Sequence, residues 1–193
     1  MNCPFRRDGA SRKTSKRSPD VGTERDWAEG FLAQARADLE SARVLITRNA
    51  ITAPGASVFS MLLQMAFEKF AKAALLRSGA IAYSAARSSH KGASTMVAAM
   101  RLQKNLIAPI GGPHLWTAAF EVVEALERAQ PSLAKAHGGP QLEYPWASAT
   151  GPVLWPARDL PIASRLANPS SRLIFHVLDF ADKLNREFDA IFP

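Results

Sequence analysis

An all-α, up-and-down bundle of four to five helices is the fold the sequence predicts, with a Pro/aromatic-rich hairpin or loop before the last helix. Three observations lead there. Apolar residues recur at steps of three or four in several separate windows. The links between those windows are mostly short and marked by Gly or Pro. Hydrophobic residues make up 47% of the 193-residue chain, enough to bury a core and to exclude general disorder.

The first helix begins at Thr23-Glu24-Arg25-Asp26, where a Thr cap precedes acids in the first turn. Trp27, Phe31, Ala35, Leu39, Ala42 and Ile46 then share one face, and Glu29, Arg36, Glu40 and Arg43 fall mainly on the other. The helix is expected to end near Asn49, ahead of Ala53-Pro54-Gly55. A second helix is expected from Ser57 to Ser78, with Phe59, Leu62, Leu63, Ala66, Phe67, Phe70, Ala74 and Leu75 apolar and Gly79 as its stop. A Ser/Ala-rich link covers 80–93. A third helix spans Ser94 to Ile107 and ends at Pro109, and a fourth runs from His114 to Gln130 after the Gly111-Gly112-Pro113 break. Residues 138–169 are proline-rich. Two short aromatic runs, Leu142–Trp146 and Val153–Trp155, flank Ala147–Gly151 and suggest a hairpin or extended loop. Tyr144, Trp146 and Trp155 read there as a lid over the core. The last helix starts near Ser170 or Ser171, with Leu173, Val177, Phe180, Ala181, Leu184, Phe188 and Ile191 as its stripe.

Residues 1–23 stand apart. They carry six basic and two acidic residues, more than half of the chain's net charge of +7. Nearly devoid of apolar residues, they are expected to be disordered. They read as a solubilising tail or as a nucleic-acid-binding arm. They lack the apolar core of a secretory signal, so the chain is expected in the cytoplasm. Residues 24–193 are expected to form one helical domain.

Several chemistries lack their motifs. The single cysteine, Cys3, excludes an intramolecular disulfide framework and a Cys-based zinc site. There is no GK[ST] phosphate loop, HExxH helix or G-x-S-x-G elbow. No apolar run approaches the roughly 18–20 residues of a membrane span. Glu121, Glu124 and Glu127 repeat at every third position, but no Glu-x-x-His accompanies them, so they read as a solvated acidic face. Neither a metal nor another cofactor is expected.

Charge is more informative. Between Lys69 and Phe120 lie seven basic residues (Lys69, Lys72, Arg77, Arg87, Lys91, Arg101 and Lys104) and no acid. Such a run suits a generic basic surface, an RNA or DNA phosphate backbone, or an acidic partner. Tyr83 is the one aromatic residue that interleaves the middle of this run, so base stacking is not indicated. Gln64, Glu68 and Lys72 form an i, i+4, i+8 stripe on the second helix, in the favourable order for a Glu–Lys pair. That stripe reads as a solvated face, or as a polar seam against another helix or subunit.

The run from Gln64-Met65-Ala66-Phe67-Glu68-Lys69 through Lys72-Ala73-Ala74-Leu75 to Gly79 resembles the second helix of HEPN domains. Ala35-Arg36-Ala37-Asp38-Leu39 is similar to that family's A-x-x-D-L start, and His90 matches a histidine common ahead of its third helix. The resemblance covers roughly residues 27–130 and the last helix. It implies a homodimer, with Gln64, Glu68 and Lys72 at the interface. It also implies nucleic-acid-linked or defence biology of the toxin–antitoxin type, with a nucleotidyltransferase as a partner. Many members are metal-independent ribonucleases using R-x(4–6)-H, in which arginine stabilises phosphate charge and histidine moves a proton. That spacing is absent here. Arg87 precedes His90 as R-x2-H, and Arg172 precedes His176 as R-x3-H; His114 and His137 have no suitably placed arginine. The expected function is therefore a non-catalytic accessory or binding protein. The alternatives are a ribonuclease with a degenerate Arg172/His176 pair, or a structural dimerisation module. His90 reads as a helix-start or ligand-binding residue.

Overall fold

A computed structural model describes residues 22–47, 53–135 and 139–193. The expected tail, except Gly22 and Thr23, lies outside them, as do Cys3 and His137. The chain is an all-α bundle, with one two-stranded hairpin among the described residues.

Helix α1 spans Glu24–Thr47. Its start is a capping box with Asp in the usual Glu position. The Asp26 amide donates to Thr23 Oγ1 at 3.2 Å, and Asp26 Oδ2 accepts from the Thr23 amide at 2.7 Å. Those bonds from Thr23 hold the Asp26 carboxyl below its ordinary range. Helix α2, Ala53–Arg77, begins four residues before the expected Ser57. Pro54 costs nothing there, because first-turn amides have no intrahelical acceptor. Its end is as expected. Gly79 has φ +65°, Ala80 N donates to Leu75 O and Gly79 N to Leu76 O, the paired bonds of a Schellman stop.

α2 is the central helix. Phe59, Leu63, Phe67 and Phe70 are fully buried, and it packs against α1, α4, α6 and the segments before the last helix. α1 runs antiparallel to it, tied by Asp38–Lys69 and Glu29–Arg77. The last helix, α10 below, runs antiparallel to α1 through Arg43–Asp182 and Arg36–Asp189.

The expected link at 80–93 contains a further helix, α3, Tyr83–Ser88, seated by buried Ala86. The expected third helix is divided. α4 stops at Ala93–Arg101; a 3-10 turn at Lys104–Leu106 and short α5, Ile107–Ile110, follow. Pro109 thus lies within the first turn of α5 rather than ending a long helix. α6, Pro113–Arg128, begins one residue before the expected His114, on the proline assigned to the break, and ends two residues before the expected Gln130; α7 covers Pro131–Lys135. Strands β1, Trp146–Ala147, and β2, Val153–Leu154, pair antiparallel as the expected hairpin. α8, Pro156–Asp159, and α9, Pro161–Ala167, stand where a hairpin or loop is expected; each starts on a proline, a residue equally at home in a loop and at the first position of a helix. After a 3-10 turn at Pro169–Ser171, α10 spans Leu173–Ile191 and buries Leu173, Val177, Phe180, Ala181, Leu184 and Phe188. Among the described residues, no helix is long and apolar enough to cross a membrane.

Candidate functional site

The basic run divides into two groups. Lys69 Nζ donates to Asp38 Oδ2 at 2.6 Å, and Gln34 Nε2 donates to Asp38 Oδ1 at 2.9 Å. Asp38 lies one α1 turn below Gln34, so the carboxylate is shared by a helix neighbour and a crossing lysine. Lys72 Nζ pairs with Glu68 Oε1 at 2.8 Å. The Arg77 side chain, only 8% exposed, forks to Glu29 at 2.7 Å and Asp189 at 2.8 Å, and donates to the Phe192 carbonyl at 2.7 Å. Burial opposes the Arg77 charge, but bonds to Asp189 and Glu29 outweigh it and raise its pKa. Arg77 and Arg36 in turn hold Asp189 low. Lys69 ties α2 to α1 and Arg77 ties α2 to α1 and α10, whereas the Lys72 pair stays within α2.

Arg87, Lys91, Arg101 and Lys104 form the second group. All four are exposed, and none has an acidic partner among the described residues. They follow one another along α3, the α3–α4 link, the end of α4 and the 3-10 turn.

Gln64, Glu68 and Lys72 face the protein's own interior. Gln64 is 8% and Lys72 7% exposed. Gln64 Nε2 donates to Glu68 Oε2 at 2.8 Å, and His90 Nδ1 lies 3.3 Å from Glu68 Oε1. An ionised carboxylate only accepts, so this contact selects the imidazole form protonated at Nδ1. Burial pushes the Glu68 pKa up, but bonds from Lys72 and Gln64 prevail and hold it below its ordinary range. His90 thereby fastens the α3–α4 link to α2. The stripe is covered by this chain's own helices, which leaves it little surface to offer a second copy.

Of the expected acidic face, Glu121 and Glu124 are surface residues, paired with Arg165 and Arg128. Glu127 departs from that reading. Its Oε1 accepts from the Gly92 amide at 2.6 Å and its Oε2 from the Ser94 amide at 3.1 Å, and the Ser94 hydroxyl also donates to it. A carboxylate on α6 thus caps the N-terminus of α4. Among the described residues, no group of three or more His, Cys, Asp or Glu side chains is arranged to hold a metal ion.

Arg172 and His176 do not share a helix face. Arg172 precedes α10 in the left-handed region, φ 51°, ψ 7°, and is exposed. It is therefore outside the helix face that His176 occupies. His176 is half-buried and meets His114 edge-on, with ring centroids 5.3 Å apart. That contact joins the first turns of α6 and α10 across 62 positions of sequence, and no local spacing announces it.

The aromatic lid is also corrected. Trp146 is buried, but Tyr144 and Trp155 are exposed. Trp146, on β1, turns inward, whereas Trp155, just past β2, carries the Arg158 guanidinium 3.6 Å above its ring.

A groove of about 410 Å³ lies between α1 and α3, lined by Trp27, Gly30, Phe31, Gln34, Lys69, Tyr83 and Arg87. Trp27 and Tyr83 stack with ring centroids 3.9 Å apart and planes within 12°. In sequence, Tyr83 alone interleaves the middle of the basic run; the fold brings Trp27 and Phe31 to it from α1. Trp27 and Phe31 at i, i+4, and Tyr83 and Arg87 at the same spacing, were the available signals.

No family model, curated protein or solved structure matches this chain.

Proposed function

We propose that this chain is a HEPN-like helical bundle that binds rather than cleaves, holding the phosphate backbone of RNA or DNA on the edge formed by α3, α4 and the following turn. One observation carries this reading. Lys69, Lys72 and Arg77 are held in internal ion pairs, whereas Arg87, Lys91, Arg101 and Lys104 are exposed and have no acidic partner among the described residues. Exposed cations in sequence along one edge favour a polyanion, and contacts of this type carry no base specificity. In such a role the chain acts beside a catalytic partner, and a nucleotidyltransferase is the class the resemblance implies. A homodimer, also implied, would have to pair through a face other than Gln64, Glu68 and Lys72.

The test is fluorescence anisotropy with labelled single-stranded RNA and duplex DNA at low salt. The wild type is expected to bind both weakly and without sequence preference. Replacing Arg87, Lys91, Arg101 and Lys104 together by Gln should abolish measurable binding and leave the melting temperature within a few degrees, because surface changes of this kind rarely exceed about 0.5 kcal/mol each. Unchanged binding by the fourfold variant would refute the reading.

A further inference from the structure

We propose that the groove between α1 and α3 binds a small planar aromatic molecule carrying one anionic group. This goes beyond backbone binding and shares only Arg87 with it. The walls suit a flat ring: Trp27, Phe31 and Tyr83 supply aromatic surface, and Trp27 and Tyr83 are already fixed against each other. The volume, about 410 Å³, falls within the range of about 300–1,000 Å³ usual for small-molecule sites.

Charge decides the rest of the ligand. The ionisable lining side chains besides Tyr83 are Lys69 and Arg87, and no carboxylate lines the groove. Lys69 is held by Asp38, so Arg87 is the cation available to an incoming anion. Gln34 donates its amide to Asp38 and keeps its carbonyl oxygen as an acceptor for a ring N–H. The chain's own first 21 residues are a poor occupant, because six basic residues against two acidic ones would meet two further cations.

Gly30 is an independent indication. It lies inside α1, where glycine is the least favourable residue after proline. Packing does not require it: apart from its chain neighbours and the adjacent backbone of α1, a Cβ there would meet no atom within 4 Å. The glycine keeps one wall of the groove open, as close approach of a ligand demands. It also supplies a test, because a Cβ has open space there and a larger side chain would extend into the groove.

Isothermal titration calorimetry on the full chain would use adenosine 5′-monophosphate and naphthalene-2-carboxylate as probes, with adenosine and inorganic phosphate as controls. At least one probe should bind with Kd below about 1 mM. Each control should bind about 10-fold more weakly or worse. Preference between the probes identifies the anion as phosphate or carboxylate; either supports the assignment. Arg87→Ala should weaken binding about 10-fold. Gly30→Leu should remove it while raising Tm by about 2–4 °C, since helix propensity improves. The Lys91, Arg101 and Lys104 triple Gln variant should bind the probe as wild type does, which separates this groove from the proposed backbone edge. No heat with either probe at about 1 mM, or unchanged affinity in Gly30→Leu, would overturn the proposal.

Discussion

Glu68 accepts from Gln64, pairs with Lys72 and meets His90, so three side chains, two on α2 and one on the α3–α4 link, depend on one carboxylate. Its folded pKa is depressed. Its contribution is therefore complete above the ordinary carboxylate value of about 4.3 and is lost as pH falls through the lower folded value. Glu68→Gln should cost about 1–3 kcal/mol at neutral pH, because it leaves the Lys72 charge covered and without its partner. Chemical denaturation at several pH values checks this. The wild type should lose more stability than Glu68→Gln between about pH 5 and pH 3, and parallel losses would contradict it. Arg172 gives a second residue-scale expectation. A left-handed conformation strains any residue with a Cβ, so Arg172→Gly should raise stability by up to about 1 kcal/mol. Reaction geometry must hold to within about 1 Å, and Arg172 stands off the face that carries His176. Neither Arg172→Ala nor His176→Ala should change RNA cleavage measured without added metal. Metal-independent cleavage by wild type that both substitutions abolish would promote the ribonuclease alternative.

α4 shows how an element depends on a distant side chain. It has nine residues, a glycine N-cap at φ +133° and no side-chain cap of its own. Glu127 on α6 supplies both the hydrogen bonds and the negative charge that the α4 N-terminus lacks. Glu127→Gln should cost about 1–2 kcal/mol, and hydrogen exchange should quicken first at the amides of Gly92 to Met96. Uniform loss of protection across the bundle would contradict a local capping role. The long elements were legible because each declares itself within its own window. Thr23 and Asp26 mark the start of α1, Gly79 the end of α2, and the Leu173–Phe188 stripe marks α10. The short ones were not. Pro156 and Pro161 open helices of four and seven residues, too short for a helical period to outweigh a proline. The α4–α5 break was hidden for the opposite reason: its residues, Leu102 to Leu106, keep an apolar–polar pattern that suits a continuous helix.

Across the whole molecule, the candidate sites depend on contacts far apart in sequence. The basic run looked uniform because its acids lie elsewhere. Asp38, Glu29 and Asp189 reach Lys69 and Arg77 from 31 to 112 positions away. The groove was hidden in the same way, since Trp27 meets Tyr83 only once α1 and α3 pack. What remains exposed after that pairing is the edge from Arg87 to Lys104, and the proposed function stands on it. The most direct test is the salt dependence of binding to single-stranded RNA between about 50 and 200 mM salt. Four phosphates neutralised on that edge give a slope of log K against log salt of about −3, at roughly 0.7 per contact. Converting Arg101 and Lys104 together to Gln should halve the slope, whereas converting Lys69 and Lys72 should leave it unchanged in whatever fraction stays folded. An unaltered slope in the Arg101/Lys104 variant would contradict the assignment of that edge to a phosphate backbone.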